Sequence, residues 1–475
     1  MYKTCVVHNC MFLRPILYFT ALVYYSMNPA TNVNDVAPVE VKPPVVNATD
    51  FQQRTVEAKD KYGLHNHLLS DITLASDYDM SAMRVFSKRV EPRGQVTNQA
   101  SSGRCWMYAA LNMLRLPTMK THDLPTSFEF SQKYLYFWDK LERVNYFLDA
   151  YDKTKTEDQQ SRLVQFLLHE PLGDGGQWQM FVNLVEKYGL VPQSAYPESK
   201  HSQNSRGLNM VLTKKLREYA RNVREGRDAL TREDMLVETY NLLVRFLGKP
   251  PTEFDWSYYD KSNQPQRHDA LTPKTFYAQF VGTPLHATYV SLIDDPRNTY
   301  DKRYGVEYLN NVVEGHDVVH LNKPIDTLAG LIKKSIDAGQ SVWFGCDVGQ
   351  FLRSQSAVMD AKLFDMESFL GIKFGLNKRE RLEYGESMMT HAMLIVGYNE
   401  DRYGNIDRWE IENSWGDKGE GKGYYTMTHE WFREYVYQIA IPRNLLSESD
   451  RALADDETPV EKTYEPWDPM GALAA

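Results

Sequence analysis

At 475 residues the chain is longer than one hydrophobic core usually supports, so two lobes or one core with large insertions are expected. Its composition, 42% hydrophobic and 25% charged, excludes a disordered or fibrous chain. A formal charge of −9 runs against general nucleic-acid binding, and four cysteines are too few for a disulfide framework, which points to a reducing compartment.

The first 50 residues stand apart from the rest. Lys3, His8 and Arg14 precede an apolar run from Pro15 to Tyr25. The run resembles the n- and h-regions of a signal peptide and falls short of the about 20 residues that span a bilayer. Pro29 before Ala30 makes a poor cleavage region, so residues 1–30 are either a signal or anchor, or an unprocessed extension. Asn47-Ala48-Thr49 is a glycosylation sequon by pattern. Cys5, His8 and Cys10 lack the second ligand pair that a zinc site needs, so no metal is expected. Pro29, Pro38, Pro43 and Pro44 mark 28–50 as a linker, with ordered structure beginning between Asp50 and Leu64.

From there to about Pro197 helical patterns alternate with short loops. Cys105 to Leu116 has helix-forming composition, with Ser101 and Ser102 available as caps and Pro117 expected to stop it. Phe128 to Phe147 is a second helical run, and Phe181 to Tyr188 a third that ends at Gly189. Between Ser199 and Lys323, Leu212, Leu216, Tyr219 and Val223 recur at helical spacing. Thr231 to Asp234 reads as a capping box opening a further helix that stops at Gly248, so this block reads as a mostly helical insertion. Lys214, Lys215, Arg217, Arg221, Arg224 and Arg227 give its first helix a basic, solvated side. After it come a helix over Ile325 to Ala338 and strands at Ser341 to Cys346, Ala392 to Val396, Arg408 to Glu412 and Tyr424 to Thr428, which suggest an antiparallel sheet or barrel.

Four residues in chain order carry a recognisable chemistry. A cysteine attacks as thiolate, and Cys105 stands where a helix begins, so the positive helix end favours its anion. His391 heads a strand that can aim its ring at the thiol, and Asn413 ends the next strand, where its side chain can orient the imidazole. Gln99 can place an amide N–H beside the Cys105 backbone N–H as an oxyanion hole. Any one of these residues alone is commonplace. Together, in the order Gln, Cys, His, Asn, they point to nucleophilic acyl transfer. There is no HExxH, no Gly-x-Ser-x-Gly elbow and no P-loop, and Gly419-x-Gly421-x-Gly423 leads into a strand, so neither metal nor nucleotide cofactor is expected.

Gln99-Ala100-Ser101-Ser102-Gly103-Arg104-Cys105-Trp106 resembles the nucleophile segment of papain-like cysteine peptidases. Thr390-His391-Ala392-Met393 with Val396-Gly397-Tyr398 is similar to their histidine strand, and Asn413-Ser414-Trp415-Gly416 to their asparagine segment. Asp174-Gly175-Gly176-Gln177-Trp178 resembles the glycine pair along which substrate lies, and Tyr188-Gly189-Leu190 with Tyr196-Pro197 also fits. Arg104 departs from the serine usual before the nucleophile. That departure, Val342 to Gly349, Gly385 to His391 and the ending Trp467-Asp468-Pro469-Met470-Gly471-Ala472-Leu473-Ala474 resemble the bleomycin hydrolase and bacterial aminopeptidase C group.

The resemblance implies an α+β fold of two papain-like lobes, one helical and one an antiparallel β-barrel-like lobe, with a large helical insertion. The boundaries follow as an extension at 1–50, a helical lobe at 51–198, the insertion at 199–323, a β-rich lobe at 324–455 and a tail at 456–475 that enters the active site. It implies Cys105, His391 and Asn413 as catalytic residues, Gln99 in the oxyanion hole, and Gly175, Gly176, Trp415, Ala474 and Ala475 against the substrate. A carboxylate at Ala474 or Ala475 would pair with the substrate's α-amino group. The implied activity is removal of N-terminal residues from short peptides, with bleomycin and homocysteine thiolactone as further substrates. A homohexamer, cytoplasmic unless residues 1–30 act as a signal, with no nucleic-acid or membrane partner, is also implied. The alternatives are a papain-like endopeptidase, which would call for disulfides and a propeptide, and a silent scaffold, which would not need all four site residues. Cys346, in a core strand with no histidine near it in sequence, is read as structural.

Overall fold

The computed structural model describes residues 68–74, 82–226 and 230–474; the apolar segment at 15–25, the sequon, Cys5, His8, Cys10, Arg227 and Ala475 lie outside them. The helix Cys105–Thr121 forms the axis of the helical lobe and is buried on nearly all sides. It does not stop at Pro117. Proline removes one backbone donor, but Leu114, Leu116 and Met119 are buried around it and the Thr118 hydroxyl donates to the Leu114 carbonyl at 2.8 Å, so core packing carries the helix one turn further.

Against this axis lie the helices Gln132–Lys153, begun by Ser131 accepting from the Tyr134 N–H, and Trp178–Tyr188, ended by Gly189 at φ 74°. In the stretch 199–323 the helices Arg206–Glu225 and Arg232–Leu247 form as their spacing requires. The first buries Leu208, Leu212, Leu216 and Tyr219 and ends at Gly226; the second is opened by the Thr231–Asp234 capping box and closed by Gly248. Beyond them the stretch mixes helix and strand: a hairpin pairs Phe254–Tyr259 with Pro265–Leu271, the short helices Pro273–Phe280 and Leu285–Thr288 follow, and Tyr289–Ile293, Lys302–Val306 and Val319–Asn322 join the main sheet. Short strands of mixed polarity give little periodic signal, which is why a helical reading extended over them.

That sheet has 12 strands and is centred on Val342–Cys346 and His391–Glu400. His391–Glu400 runs antiparallel to Val342–Cys346 on one side and to Ile406–Glu412 on the other, and Tyr424–Thr428 follows. Most pairings are antiparallel, as expected. Three are parallel: Thr426 with Val358, Leu292 with Leu321, and Lys462 with Tyr304. The lobes meet along one hydrophobic core in which Trp106, Trp178 and Trp343 are fully or almost fully buried. The Trp343 indole N–H donates to the Trp106 carbonyl at 3.0 Å, tying the central sheet to the first turn of the axial helix. Burying a large apolar side chain contributes roughly 1.5–3 kcal/mol, so this shared core holds the two lobes at a fixed spacing. Among the described residues no helix is long and apolar enough to cross a membrane.

Candidate active site

Cys105 is the first residue of the axial helix and is 5% exposed. The loop before it is closed by its own polar groups. The Ser102 hydroxyl donates to the Gln99 carbonyl at 2.7 Å, the Gln99 amide Nε2 donates to the Ser102 carbonyl at 2.7 Å, and the Ala100 N–H donates to Asn98 Oδ1 at 2.8 Å. Ala100 takes a left-handed backbone at φ 52°, a region sparsely used by residues with a Cβ. The expectation that Ser101 or Ser102 caps the helix is corrected here: the N-cap is Arg104, with no side-chain cap, because Ser102 is committed to the loop. The Met107 N–H donates to the Arg104 carbonyl at 3.1 Å, and the N–H groups of Cys105 and Trp106 are the first-turn donors that favour an anion at Cys105.

His391 opens the central strand and is 4% exposed; Asn413 directly follows the neighbouring strand and is 1% exposed. The antiparallel pairing brings them together, with His391 Nε2 at 2.9 Å from Asn413 Oδ1. Oδ1 also accepts from the Ser414 N–H at 2.8 Å, which fixes the amide orientation. A carbonyl-type oxygen can only accept, so Nε2 carries the proton and Nδ1 is left with its lone pair. The Trp415 ring lies 4.8 Å from the imidazole, tilted by 33°, and screens this hydrogen bond from water. Gln99 is bound to the same segment: its Oε1 accepts from Ser414 Oγ at 2.7 Å and its N–H donates to the Ser414 carbonyl at 2.8 Å.

Burial acts on both ionisable groups. It pushes the Cys105 thiol up to about 11, against the opposing pull of the backbone N–H groups of Ala392, Trp106 and Cys105 itself. It pushes His391 down to about 4, against the hydrogen bond that its ring N–H donates to Asn413. Burial thus opposes the charge of each group taken alone, while the backbone donors and Asn413 favour the ionised forms.

The glycine pair borders the same region. Lys140 Nζ donates to the Gly173 carbonyl at 2.6 Å and Arg143 donates to the Gly175 carbonyl. Gly175 and Gly176 are both buried, and a Cβ on Gly176 would stand 2.5 Å from the Trp106 ring, so this glycine is required by packing whatever binds beside it. The tail packs nearby. Gln177 Nε2 donates to the Met470 carbonyl at 3.2 Å, the Met389 N–H donates to the Pro469 carbonyl at 3.4 Å, and Leu473 lies against Gly345. Met470 and Leu473 are buried. The Ala474 side chain lies outside the described atoms, and Ala475 outside the described residues.

Comparison with known proteins matches this arrangement to one family. The sequence profile of the Peptidase C1-like family covers residues 48–471. The chain is 42% identical to bleomycin hydrolase of Homo sapiens over 426 residues, 86% of this chain and 92% of that protein. It is 43% identical to aminopeptidase C of Lactococcus lactis subsp. cremoris over 389 residues, 80% and 87% of the two chains. The crystal structure of PepW from Lactobacillus rhamnosis superimposes with a TM-score of 0.85 at 38% identity, covering 90% of this chain and 99% of that one.

The chain belongs to the Peptidase C1-like family. Within it the relatives place the chain in the bleomycin hydrolase and aminopeptidase C group, and it is a cysteine peptidase with the papain-like fold expected from its motifs. Reading this peptidase by sequence passed over several residues at its site. Ser414, inside a quoted motif, links Gln99 to the Asn413 segment. Arg104 is fully buried and binds Glu198 through both guanidinium nitrogens, each at 2.9 Å, anchoring the loop before Cys105; its place beside the nucleophile was the signal. Cys346 stands directly across from His391 in the strand register, a proximity that sequence distance hides. Its thiol is fully buried and burial pushes it well above the ordinary range, so it is held neutral. Asp174 stands inside a quoted motif, but its pairing with Lys140, distant in the chain, gave no local signal.

Proposed function

We propose that this peptidase removes N-terminal residues from short peptides through a thioester on Cys105, with His391 as the acid–base and Asn413 orienting it. The observation that carries the reading is the 2.9 Å His391–Asn413 hydrogen bond, which leaves Nδ1 as the free base on the sheet that packs against the Cys105 helix. Sγ attacks the substrate carbonyl carbon as its proton passes to His391 Nδ1, and the C=O electrons move onto oxygen. The Cys105 N–H and the second N–H of the Gln99 amide face that oxyanion; the Ser102 carbonyl, which can only accept, fixes Nε2 as the nitrogen on this side. The imidazolium then protonates the leaving amine, and water, deprotonated by the same nitrogen, hydrolyses the thioester and frees Cys105.

The order of charges matters. Burial opposes the thiolate and the imidazolium when either stands alone, so proton transfer from Cys105 to His391 creates both charges together and their attraction offsets that burial. Gly175, Gly176 and Trp415 border the substrate in this reading. The segment from Trp467 to Leu473 packs beside Gln177 and Met389, and in this reading it fills the cleft there and closes the site to long chains on that side. The name of the aminopeptidase C relative supports the same substrate class, and that of bleomycin hydrolase supports bleomycin as an amide substrate. Homocysteine thiolactone would acylate the same thiol.

Cys105→Ala is expected to abolish release of a free-amino aminoacyl reporter while leaving the fold intact by circular dichroism; residual turnover above background would remove Cys105 from the mechanism. Wild-type enzyme is expected to cleave peptides with free N-termini and not their acetylated counterparts. Equal cleavage of the two would overturn the aminopeptidase reading and leave an endopeptidase.

A further inference from the structure

Asp174 is a buried ionised group that the mechanism above leaves unused. Its side chain is only 10% exposed, yet every neighbour offers it a proton donor. Lys140 Nζ lies 2.6 Å from Oδ1, which also accepts from the Tyr136 hydroxyl at 3.2 Å and from Asn209 Nδ2 at 2.8 Å. Oδ2 accepts from the Gly103 backbone N–H at 3.1 Å. Burial works against the charge, but Lys140, Ser205 and Asn209 hold the carboxyl well below its ordinary range. The residue's own carbonyl accepts from the Trp106 indole at 2.8 Å. A Cβ on Gly103 would stand 2.7 Å from the Asp174 Cβ, so the two segments touch with no space between them.

The position of these contacts gives them meaning. Gly103 belongs to the loop that runs from Gln99 to Cys105, and Trp106 follows the nucleophile. Asp174 immediately precedes Gly175 and Gly176. We infer that Asp174 is a positioning residue, which clamps the Gly175–Gly176 segment to the Gln99–Cys105 loop so that oxyanion donors and substrate-bordering backbone are held as one unit. The inference rests on the function proposed above. Because Lys140 and Arg143 hold the carbonyls on either side of Asp174, the helix Gln132–Lys153 sets the height of the glycine segment and Asp174 passes that height to the loop. Asn209 brings the helix Arg206–Glu225 into the same clamp. An amide could not replace the carboxylate. Its NH₂ would face one set of these donors with hydrogens instead of lone pairs.

The test is Asp174→Asn, assayed per titrated active site. Kcat is expected to fall about 10–100-fold, the scale of a sub-ångström to 1 Å misplacement. Affinity for a peptide aldehyde, whose adduct places an oxygen where the oxyanion forms, should fall in parallel. Alkylation of Cys105 by iodoacetamide should not slow, because His391 and Asn413 are untouched and loss of the Asp174 charge, which raises the thiol, moves the profile only towards lower pH. A merely structural residue would instead lower the titratable fraction and leave per-site constants unchanged, which would overturn the inference. So would an alkylation profile moved to higher pH, which would place Asp174 in thiol activation. If the variant does not fold, Tyr136→Phe and Asn209→Ala, each deleting one donor to Oδ1, are expected to weaken aldehyde binding about threefold; no change in either overturns the clamp. Loss of activity in Cys105→Ala with unaltered Asp174→Asn would sink the clamp alone, whereas an active Cys105→Ala would sink the mechanism beneath it.

Discussion

At the scale of single residues, His391 depends on one neighbour for its charge. Burial lowers its affinity for a proton and the Asn413 hydrogen bond is the contact that raises it. Hydrogen bonds to a charged group contribute about 1.5–3 kcal/mol, so Asn413→Ala is expected to cost about 10–100-fold in kcat/KM. The sign of the pH effect follows. Without the Asn413 oxygen the imidazolium is less stable, His391 gives up its proton at lower pH, and the acid limb of the kcat/KM profile moves downward. An acid limb that stays in place, measured with a free-amino reporter between pH 3 and 7, would show that Asn413 does not govern the ionisation.

At the scale of elements, the strand Val319–Asn322 carries a second buried imidazole with a different fate. His320 is 1% exposed, its Nδ1 lies 2.8 Å from Ser291 Oγ, and burial pushes its pKa down to about 4. Protonation above that value is available only to the unfolded chain, whose histidine titrates near 6.5. The folded pKa is the lower one, so the contribution is complete above about pH 6.5 and is lost as pH falls towards about 4. Between pH 7.5 and 5 this amounts to a loss of about 2 kcal/mol. Chemical denaturation of wild type and His320→Gln at both pH values checks it, with a shallower pH dependence expected in the variant. An equal dependence in both would mean that His320 is solvated or protonated in the native state.

At the scale of the whole molecule, the segment between the sheet strands that leads into His391 exposes an unusual apolar set. Phe369, Ile372, Phe374, Leu376, Tyr384 and Met388 are each at least 40% exposed. Apolar side chains this exposed are what an association surface would cover, and the self-association proposed from the resemblance, a homohexamer, would use them. Light scattering on the intact protein is expected to give a mass several times the monomer's. Phe374→Asp with Ile372→Asp is expected to lower that mass while the Cys105 alkylation rate is retained. A monomeric wild type would remove the proposal.

How far the sequence reached differs between these scales. Gln99, Cys105, His391 and Asn413 were legible because their motifs are local, and caps such as Thr231 with Gly248 marked helices by short-range chemistry. The strands between Tyr289 and Asn322 were not, because pairing energy lies between distant segments and leaves no period in a short strand. Pro117 misled for a similar reason: the local rule was sound, but the core around Leu114 and Met119 outweighed it. By itself, then, the sequence determined the family and the cysteine-peptidase class, and it suggested the proposed chemistry, since a thiol, an imidazole and two amides in that order admit few reactions. Only the tertiary structure decided how that chemistry is held. The Asp174–Lys140 pair, the Arg104–Glu198 anchor and the closeness of Cys346 to His391 each join residues far apart in the chain, and a buried charge reveals its partner only once the fold has brought the two together.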